Sequence, residues 1–268
     1  EVDAASEVQP LIGSKEGILH ITLAFVNPGD EVLVPNPGYP TYTSLSKILG
    51  AKVVNYNLDE DNGWQPDFEE LEHRDLSRVK LMWTNYPNMP TGGDARMETY
   101  RKLVDFARRH DIVVVNDNPY SFILNEHPLS LLQVEGAKDC CIELNSMSKG
   151  YNMPGWRVGM CVSNPQFISW ILKIKSNIDS GTFRGLQLAA AEALTTNTEE
   201  WHREYNINVY RRRREIAERI MQALGCTYDD SQVGMFLWGK IADKYANAEQ
   251  LTERVLHEAQ VFITPGFI

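Results

Sequence analysis

Apolar residues in this chain fall into short, dense runs that mostly lack polar alternation. EVLVP (31–35), AKVVNY (51–56), VKLMWT (79–84), IVVVN (112–116), CCIEL (140–144) and RVGMCV (157–162) are rich in Val and Ile. Runs of this kind suit strands covered on both faces, as in a parallel sheet. Between them, helical spacing predicts helices over 16–26, 40–49, 94–110 and 165–176. Strand and helix alternate, so the pattern predicts an α/β fold: a mostly parallel sheet sandwiched by helices.

After residue 182 the texture changes. Residues 183–195 and 198–224 read as helices, GMFLWGKI (234–241) as a strand, 246–259 as a helix and 260–264 as a strand. This predicts a large domain over 1–196, then an interdomain helix and a partial, smaller α+β domain over 197–268. The run Arg211–Arg214 is followed by Glu215 and Glu218 at helical spacing, which reads as a solvated helix face. The chain opens on Glu1-Val2-Asp3 without a Met and closes on Thr264-Pro265-Gly266-Phe267-Ile268, just past an apolar run. Both ends read as unfinished, with the large domain incomplete at its N-terminal side. No internal repeat or Gly/Ser linker interrupts the pattern.

Charge and composition narrow the partners. The formal net charge is −10, which argues against nucleic acid or anionic lipid as a partner of the whole chain. No apolar run is long enough for a membrane span. Cys140, Cys141, Cys161 and Cys226 form no CxxC pair and read as buried thiols of a reducing cytoplasm. The histidines are scattered without ligand spacing, so no metal site is expected.

The chemistry concentrates in loops at the carboxyl ends of the expected strands, where open α/β sheets bind ligands. Asn36–Pro40, Asn85–Gly92, Asp117–Tyr120 and Ser146–Lys149 all fall there. Lys149 stands beside Ser146 and Ser148, with Arg157 eight residues on. Hydroxyl donors and a guanidinium fork suit a phosphate. Gly13-Ser14-Lys15 stands just before a helix, whose free N–H groups favour a second side of the same anion. Alone, Ser14 would read as a plain helix cap. Asp117 ends a buried run; it reads either as a turn aspartate or as the partner of a protonated ring nitrogen. Tyr39 reads either as a core tyrosine or as a flat face for stacking. Together these residues describe one cofactor, pyridoxal 5′-phosphate: a lysine for a Schiff base, an anion grip, a carboxylate for a pyridinium and a phenol at Tyr120 for a ring oxygen.

The sequence resembles a fold-type I pyridoxal-phosphate enzyme of the class I/II aminotransferase family, from GSKEG (13–17) to VFITPG (261–266). The resemblance rests on Ser146-x-Ser148-Lys149 with Arg157, on Asp117-x-x-Tyr120, on Tyr39 and on Ser14-Lys15. PLIGSKEGI, VNPGDEVLVPNPGYP and KIKSNIDSGTF are similar to the branch holding LL-diaminopimelate aminotransferases and aspartate-aminotransferase-like relatives. The resemblance implies Lys149, Asp117 and Tyr120 as catalytic residues. It implies Ser14, Lys15, Tyr39, Asn85, Asp117, Tyr120, Ser146, Ser148, Lys149 and Arg157 as cofactor contacts. The implied substrates are an L-amino acid and a 2-oxo acid such as 2-oxoglutarate, in a homodimer with its site at the interface. Asn177–Gly181 would reach the neighbour's phosphate, and an arginine for the substrate carboxylate would lie beyond Ile268.

One position departs from the family. Met89 stands in NYPNMPTG (85–92) where most members carry an Asn that donates to the cofactor's ring oxygen. A thioether cannot donate, so Asn85, Asn88 or Tyr120 would have to serve that oxygen, and catalytic efficiency is put in question. Other readings stay open: a carbon–sulfur β-lyase using the same cofactor, an inactive paralogue, and an aminotransferase-like ligand-sensing domain of a regulator.

Overall fold

The computed structural model describes residues 1–267; Ile268, the last residue of the expected C-terminal unit, lies outside the described residues. One sheet organises the chain. Its strands are β1 (Val8–Leu11), β2 (Glu31–Asn36), β3 (Lys52–Asn57), β4 (Val79–Thr84), β5 (Val113–Asp117), β6 (Cys141–Ser146) and β7 (Gly159–Val162). Their order is β1-β7-β6-β5-β4-β2-β3. β3, β2, β4, β5 and β6 run parallel. β7 runs antiparallel to both β6 and β1.

The missing polar alternation is explained by two apolar layers, one on each face. Leu33, Met82 and Val114 pack into one cluster with Tyr100, Leu103 and Phe106. Val32, Val34, Leu81, Trp83 and Val115 pack into the other with Ile18, Ile21 and Tyr42. Neighbours along a strand therefore serve opposite layers.

The flanking helices are α1 (Ser14–Phe25), α2 (Pro40–Ile48), α3 (Phe68–Glu72), α4 (Met97–His110), α5 (Met147–Gly150), α6 (Pro165–Lys175) and α7 (Arg184–Thr195). α2 starts on Pro40, whose fixed φ suits a first helical position. α4 ends on Asp111 in the left-handed conformation, with Arg108, Arg109 and His110 in its last turn facing the negative end of the dipole.

The pattern did not announce β1. Pro10 interrupts its short run, which is tolerated because the strand lies at the sheet edge. The expected strand 157–162 begins only at Gly159, because Arg157 takes a positive φ of 54°. The expected helix over 198–224 is three pieces: α8 (Thr198–Trp201), a π-helical stretch (His202–Val209) and α9 (Tyr210–Leu224).

The segment 234–241 is not a strand of a sheet. It makes one isolated bridge, Thr227 with Lys240. Its other polar groups turn elsewhere: Gly234 N–H donates to Ile123 O at 2.8 Å, and Gln232 pairs with both backbone groups of Trp238 at 2.8 Å. Residues 260–264 also form no strand, and the last helix, α10, spans Ala248–Ala259.

Candidate active site

The carboxyl ends of β2, β4, β5 and β6 meet the N-terminus of α1 around a cavity of about 400 Å³. All ten residues expected to touch a cofactor line it: Ser14, Lys15, Tyr39, Asn85, Asp117, Tyr120, Ser146, Ser148, Lys149 and Arg157.

The floor is Asp117, the last residue of β5, at 4% exposure. Tyr42 donates its hydroxyl to Oδ2 at 2.9 Å, while Oδ1 is buried without any hydrogen-bond partner. Burial pushes the carboxyl up to about 6, against the pull of the Tyr42 hydrogen bond. A buried, half-satisfied carboxylate is costly unless a cation or donor completes it. Tyr42 is stacked on Trp83 at 4.8 Å, which fixes the phenol's direction. Sequence reasoning missed Tyr42, because a buried aromatic on α2 looks like core.

One wall is the start of α1. Its cap residue, Gly13, makes no side-chain bond to the helix, so the first N–H groups stay free for an anion. Gly13 has φ +78°, and a Cβ there would stand 2.2 Å from Arg157 Nη2. Arg157 therefore closes down over glycine backbone. Its Nη1 donates to Pro154 O at 2.8 Å and to Ser148 Oγ at 3.5 Å. Gly159 lets β7 approach from beneath, since a Cβ there would meet Ser14 N at 2.7 Å.

Lys149 sits half-buried on α5, the four-residue helix that follows β6. Ser146 caps α5 by accepting from Ser148 N at 3.2 Å. Opposite lie Tyr39 and Tyr120. Tyr39 packs edge-on against Tyr42 at 5.6 Å, with Lys15 Nζ 5.6 Å from its ring centroid. Tyr120 is buried; burial and the nearby Asp117 charge hold its phenol in the protonated form far past neutrality. Phe236, which read as part of a strand, also lines the cavity and packs edge-on against Tyr120 at 5.5 Å.

Met89 lies in the cavity wall, and Tyr120 O–H points at its Sδ, 3.7 Å away. Of the neighbouring amides, Asn85 is committed elsewhere, while Asn88 keeps a buried, unpartnered Nδ2 outside the cavity lining. Asn85 Nδ2 donates to Asp117 O at 2.5 Å, and its Oδ1 accepts from Met89 N at 2.7 Å. Asn88 Oδ1 accepts from Thr91 Oγ1 at 2.8 Å, and Asn88 is absent from the cavity lining. Asn177–Gly181, expected at a neighbour's phosphate, lie outside this chain's own cavity; Asp179 Oδ2 accepts from Lys175 Nζ at 2.5 Å. Among the described residues, no cluster of three or more His, Cys, Asp or Glu could hold a metal.

The cavity fits pyridoxal phosphate: the orphaned Asp117 Oδ1 asks for a cationic N–H, and the uncapped helix with Arg157 asks for a phosphate. Fold and cavity together define a fold-type I pyridoxal-phosphate enzyme. Residues 1–268 match the model of the family described as aminotransferase class I and II, and the chain belongs to that family. It is 41% identical over 268 residues to an LL-diaminopimelate aminotransferase of Aquifex aeolicus, covering 99% of this chain and 68% of that protein. An aminotransferase structure from Staphylococcus aureus superposes with TM-score 0.91 at 31% identity, over 99% of this chain and 70% of the other. A probable N-succinyldiaminopimelate aminotransferase from Thermus thermophilus does so with TM-score 0.91 at 28% identity, over 99% and 71%. These comparisons favour transamination over the lyase and ligand-sensing readings. Among the described residues no helix is long and apolar enough to cross a membrane.

Proposed function

We propose that this transaminase moves the amino group of an L-amino acid to a 2-oxo acid, with 2-oxoglutarate as an acceptor. The donor is of the aspartate, glutamate or LL-diaminopimelate type. The relative from Aquifex aeolicus, named for LL-diaminopimelate, supports the substrate class. The observation that carries the chemistry is the unpartnered Asp117 Oδ1 in the cavity that Lys149 enters.

When bound, pyridoxal phosphate supplies an electron sink for the substrate carbanion. In this reading Lys149 would hold the cofactor through its amine, and that amine, when free, would carry a proton to and from the substrate α-carbon. Asp117 keeps the ring nitrogen protonated through Oδ1. Tyr120 turns its O–H from Met89 to the ring oxygen, and Tyr39 lies against the ring face. Ser14, Lys15, Ser146, Ser148 and Arg157 grip the phosphate. Asn85 holds the peptide of Asp117 in place.

The same reading makes the working unit a homodimer. α7 supports it: Ala190 is its only buried residue, while Leu188, Leu194 and the adjoining Phe183 stand exposed. An apolar helix face of this kind suits a second copy of the chain. In the same reading residues 1–196 are the large domain and 197–268 an interdomain helix with a smaller unit; Asn197, at φ 51°, separates α7 from α8. The four cysteines are free thiols, which suits a reducing cytoplasm.

The test is a spectral titration of the full-length protein loaded with cofactor. LL-diaminopimelate, glutamate and aspartate are added singly, without a 2-oxo acid. A shift of the visible band that 2-oxoglutarate reverses supports transamination of that donor. No visible band at saturating cofactor, or full turnover by Lys149→Ala, would overturn the reading.

A further inference from the structure

A four-residue helix cannot hold itself, because nucleation costs more than its few bonds return. α5 nevertheless has to aim Lys149. Part of its support is local: Met147 N–H donates to Val158 O at 3.1 Å, and Asn152 N–H donates to Lys149 O at 3.1 Å. Met153 N–H donates back to Met147 O at 3.2 Å. A further bond comes from another part of the chain. Trp201, the last residue of α8, donates its indole Nε1–H to Gly150 O at 2.7 Å, across 51 positions.

The indole is itself fixed. Tyr205 stacks on it, with centroids 4.6 Å apart and planes 20° from parallel. The Arg213 guanidinium lies over the rings of Tyr205 and Tyr210, at 5.9 and 4.9 Å. Tyr205 belongs to the π-helical stretch that starts directly after Trp201, and π turns recur where a helix must re-aim a side chain.

The same stretch packs around Gly150. Asn206 is 3% exposed, and its carbonyl accepts from Leu124 N–H at 3.0 Å. A Cβ on Gly150 would stand 4.0 Å from Asn206 Nδ2 and 3.5 Å from the Phe122 ring. Phe122 in turn meets His202 edge-on at 5.9 Å. Lys149 and Tyr120 thus approach the cavity from segments that both rest on this one π-helical stretch.

We propose that Trp201 is a positioning residue for Lys149. Its indole N–H holds the Gly150 carbonyl, so the Gly150–Tyr151 peptide that closes α5 cannot rotate, and the turn carrying Lys149 keeps its amine in one direction into the cavity. The proposal rests on the reading of Lys149 as the cofactor lysine. It gives the first turn of the interdomain helix a role in the chemistry that no cavity-lining position reveals.

The test uses full-length protein carrying Trp201→Phe, which keeps a ring for Tyr205 but removes the donor. A second variant places benzothienylalanine at 201, an indole isostere without the N–H, in case Phe disturbs the stack. In the cofactor-free proteins, amide exchange over 147–153 is expected to accelerate about tenfold, as for the loss of one hydrogen bond. In the loaded enzymes, kcat is expected to fall about tenfold with KM within a factor of about two. The pH midpoint of the visible absorption is expected to move. Unchanged exchange, kcat and midpoint in the benzothienyl variant would overturn the role of Trp201. Lys149→Ala separates the two claims. If that variant loses turnover while the Trp201 variants match wild type, only the positioning claim fails. If it retains turnover, the cofactor-lysine reading fails first.

Discussion

Tyr42 and Asp117 meet as donor and acceptor at 2.9 Å, and this single bond divides the aspartate into two unlike oxygens. Oδ2 is satisfied by a phenol that is buried and stacked on Trp83; Oδ1 is buried and unsatisfied. The site therefore holds a carboxylate that the fold itself does not complete.

That arrangement costs stability when no cofactor is bound, and the sign follows from the direction of the shift. Burial raises Asp117 from the ordinary 3.8 to about 6. As pH rises, the unfolded chain gives up its proton first. Stability from this group therefore falls between about pH 4 and pH 6, and stays lowered above that. Asp117→Asn should raise the stability of cofactor-free protein at pH 8 by about 1–3 kcal/mol, with the gap closing below about pH 4. The same variant should lose turnover on the order of 100-fold. Urea unfolding at both pH values checks it; a variant less stable than wild type at pH 8 would contradict the account.

Gly13 yields a prediction with an internal control. Gly13→Ala puts a methyl 2.2 Å from Arg157 Nη2 at a backbone φ of +78°. Arg157 must swing off the phosphate position, and the backbone is strained by about 1–3 kcal/mol. The cofactor Kd should rise about tenfold or more. Gly155→Ala, with nothing within 4 Å of the added carbon, should leave it unchanged. Fluorescence titration of the cofactor measures both.

Much of this was legible because the chemistry sits at strand ends. The runs behind Asn36, Asn85, Asp117 and Ser146 are apolar on both faces, so their ends could be placed from periodicity. The loops after them carry the polar residues that line the cavity. What stayed hidden depends on distant pairing. Tyr42 reads as core until Asp117 is found beside it, 75 positions away. The run 234–241 has strand composition but no neighbour to pair with, and Gln232 takes up its backbone instead. The π-helical stretch His202–Val209 differs from an α-helix by one residue per bond, which composition over eight positions does not register. The antiparallel sense of β7 is also invisible in composition: direction is set by the connection, and the residues between β6 and β7 fold into the short α5 and a loop rather than a crossover helix.

Met89 gives the third prediction. Its thioether accepts from Tyr120 and donates nothing; Asn85 Nδ2 is tied to the Asp117 carbonyl, and Asn88, whose Nδ2 is unpartnered, does not line the cavity. In the proposed function, Tyr120 is therefore the donor to the cofactor's ring oxygen from this wall. Met89→Asn would add an amide N–H there and draw electron density from that oxygen. The pH midpoint of the visible absorption should fall by about one unit, the scale of one added hydrogen bond to a charged form. Tyr120→Phe should move the midpoint the opposite way, and further in wild type than in Met89→Asn. A pH titration of absorbance in the four proteins decides it; an unchanged midpoint in Met89→Asn would show that position 89 does not reach the ring oxygen.

The last prediction concerns assembly. Phe183 is 76% exposed and Leu188 59%, on a segment whose only fully buried residue is Ala190. Burying two such side chains in a partner contributes about 1.5–3 kcal/mol each, enough for one charge at each position to shift the monomer–dimer balance by orders of magnitude. The double variant Phe183→Glu, Leu188→Glu should sediment as a monomer at concentrations where wild type is a dimer. Trp170 and Leu172 on α6 are exposed as well, so Leu172→Glu is the comparison that locates the interface. If Leu172→Glu dissociates the dimer and the α7 pair does not, the second copy sits on α6 and the assignment of α7 is wrong. Under the proposed homodimer with its site at the interface, activity should follow assembly. A fully active monomer would place the whole site within one chain.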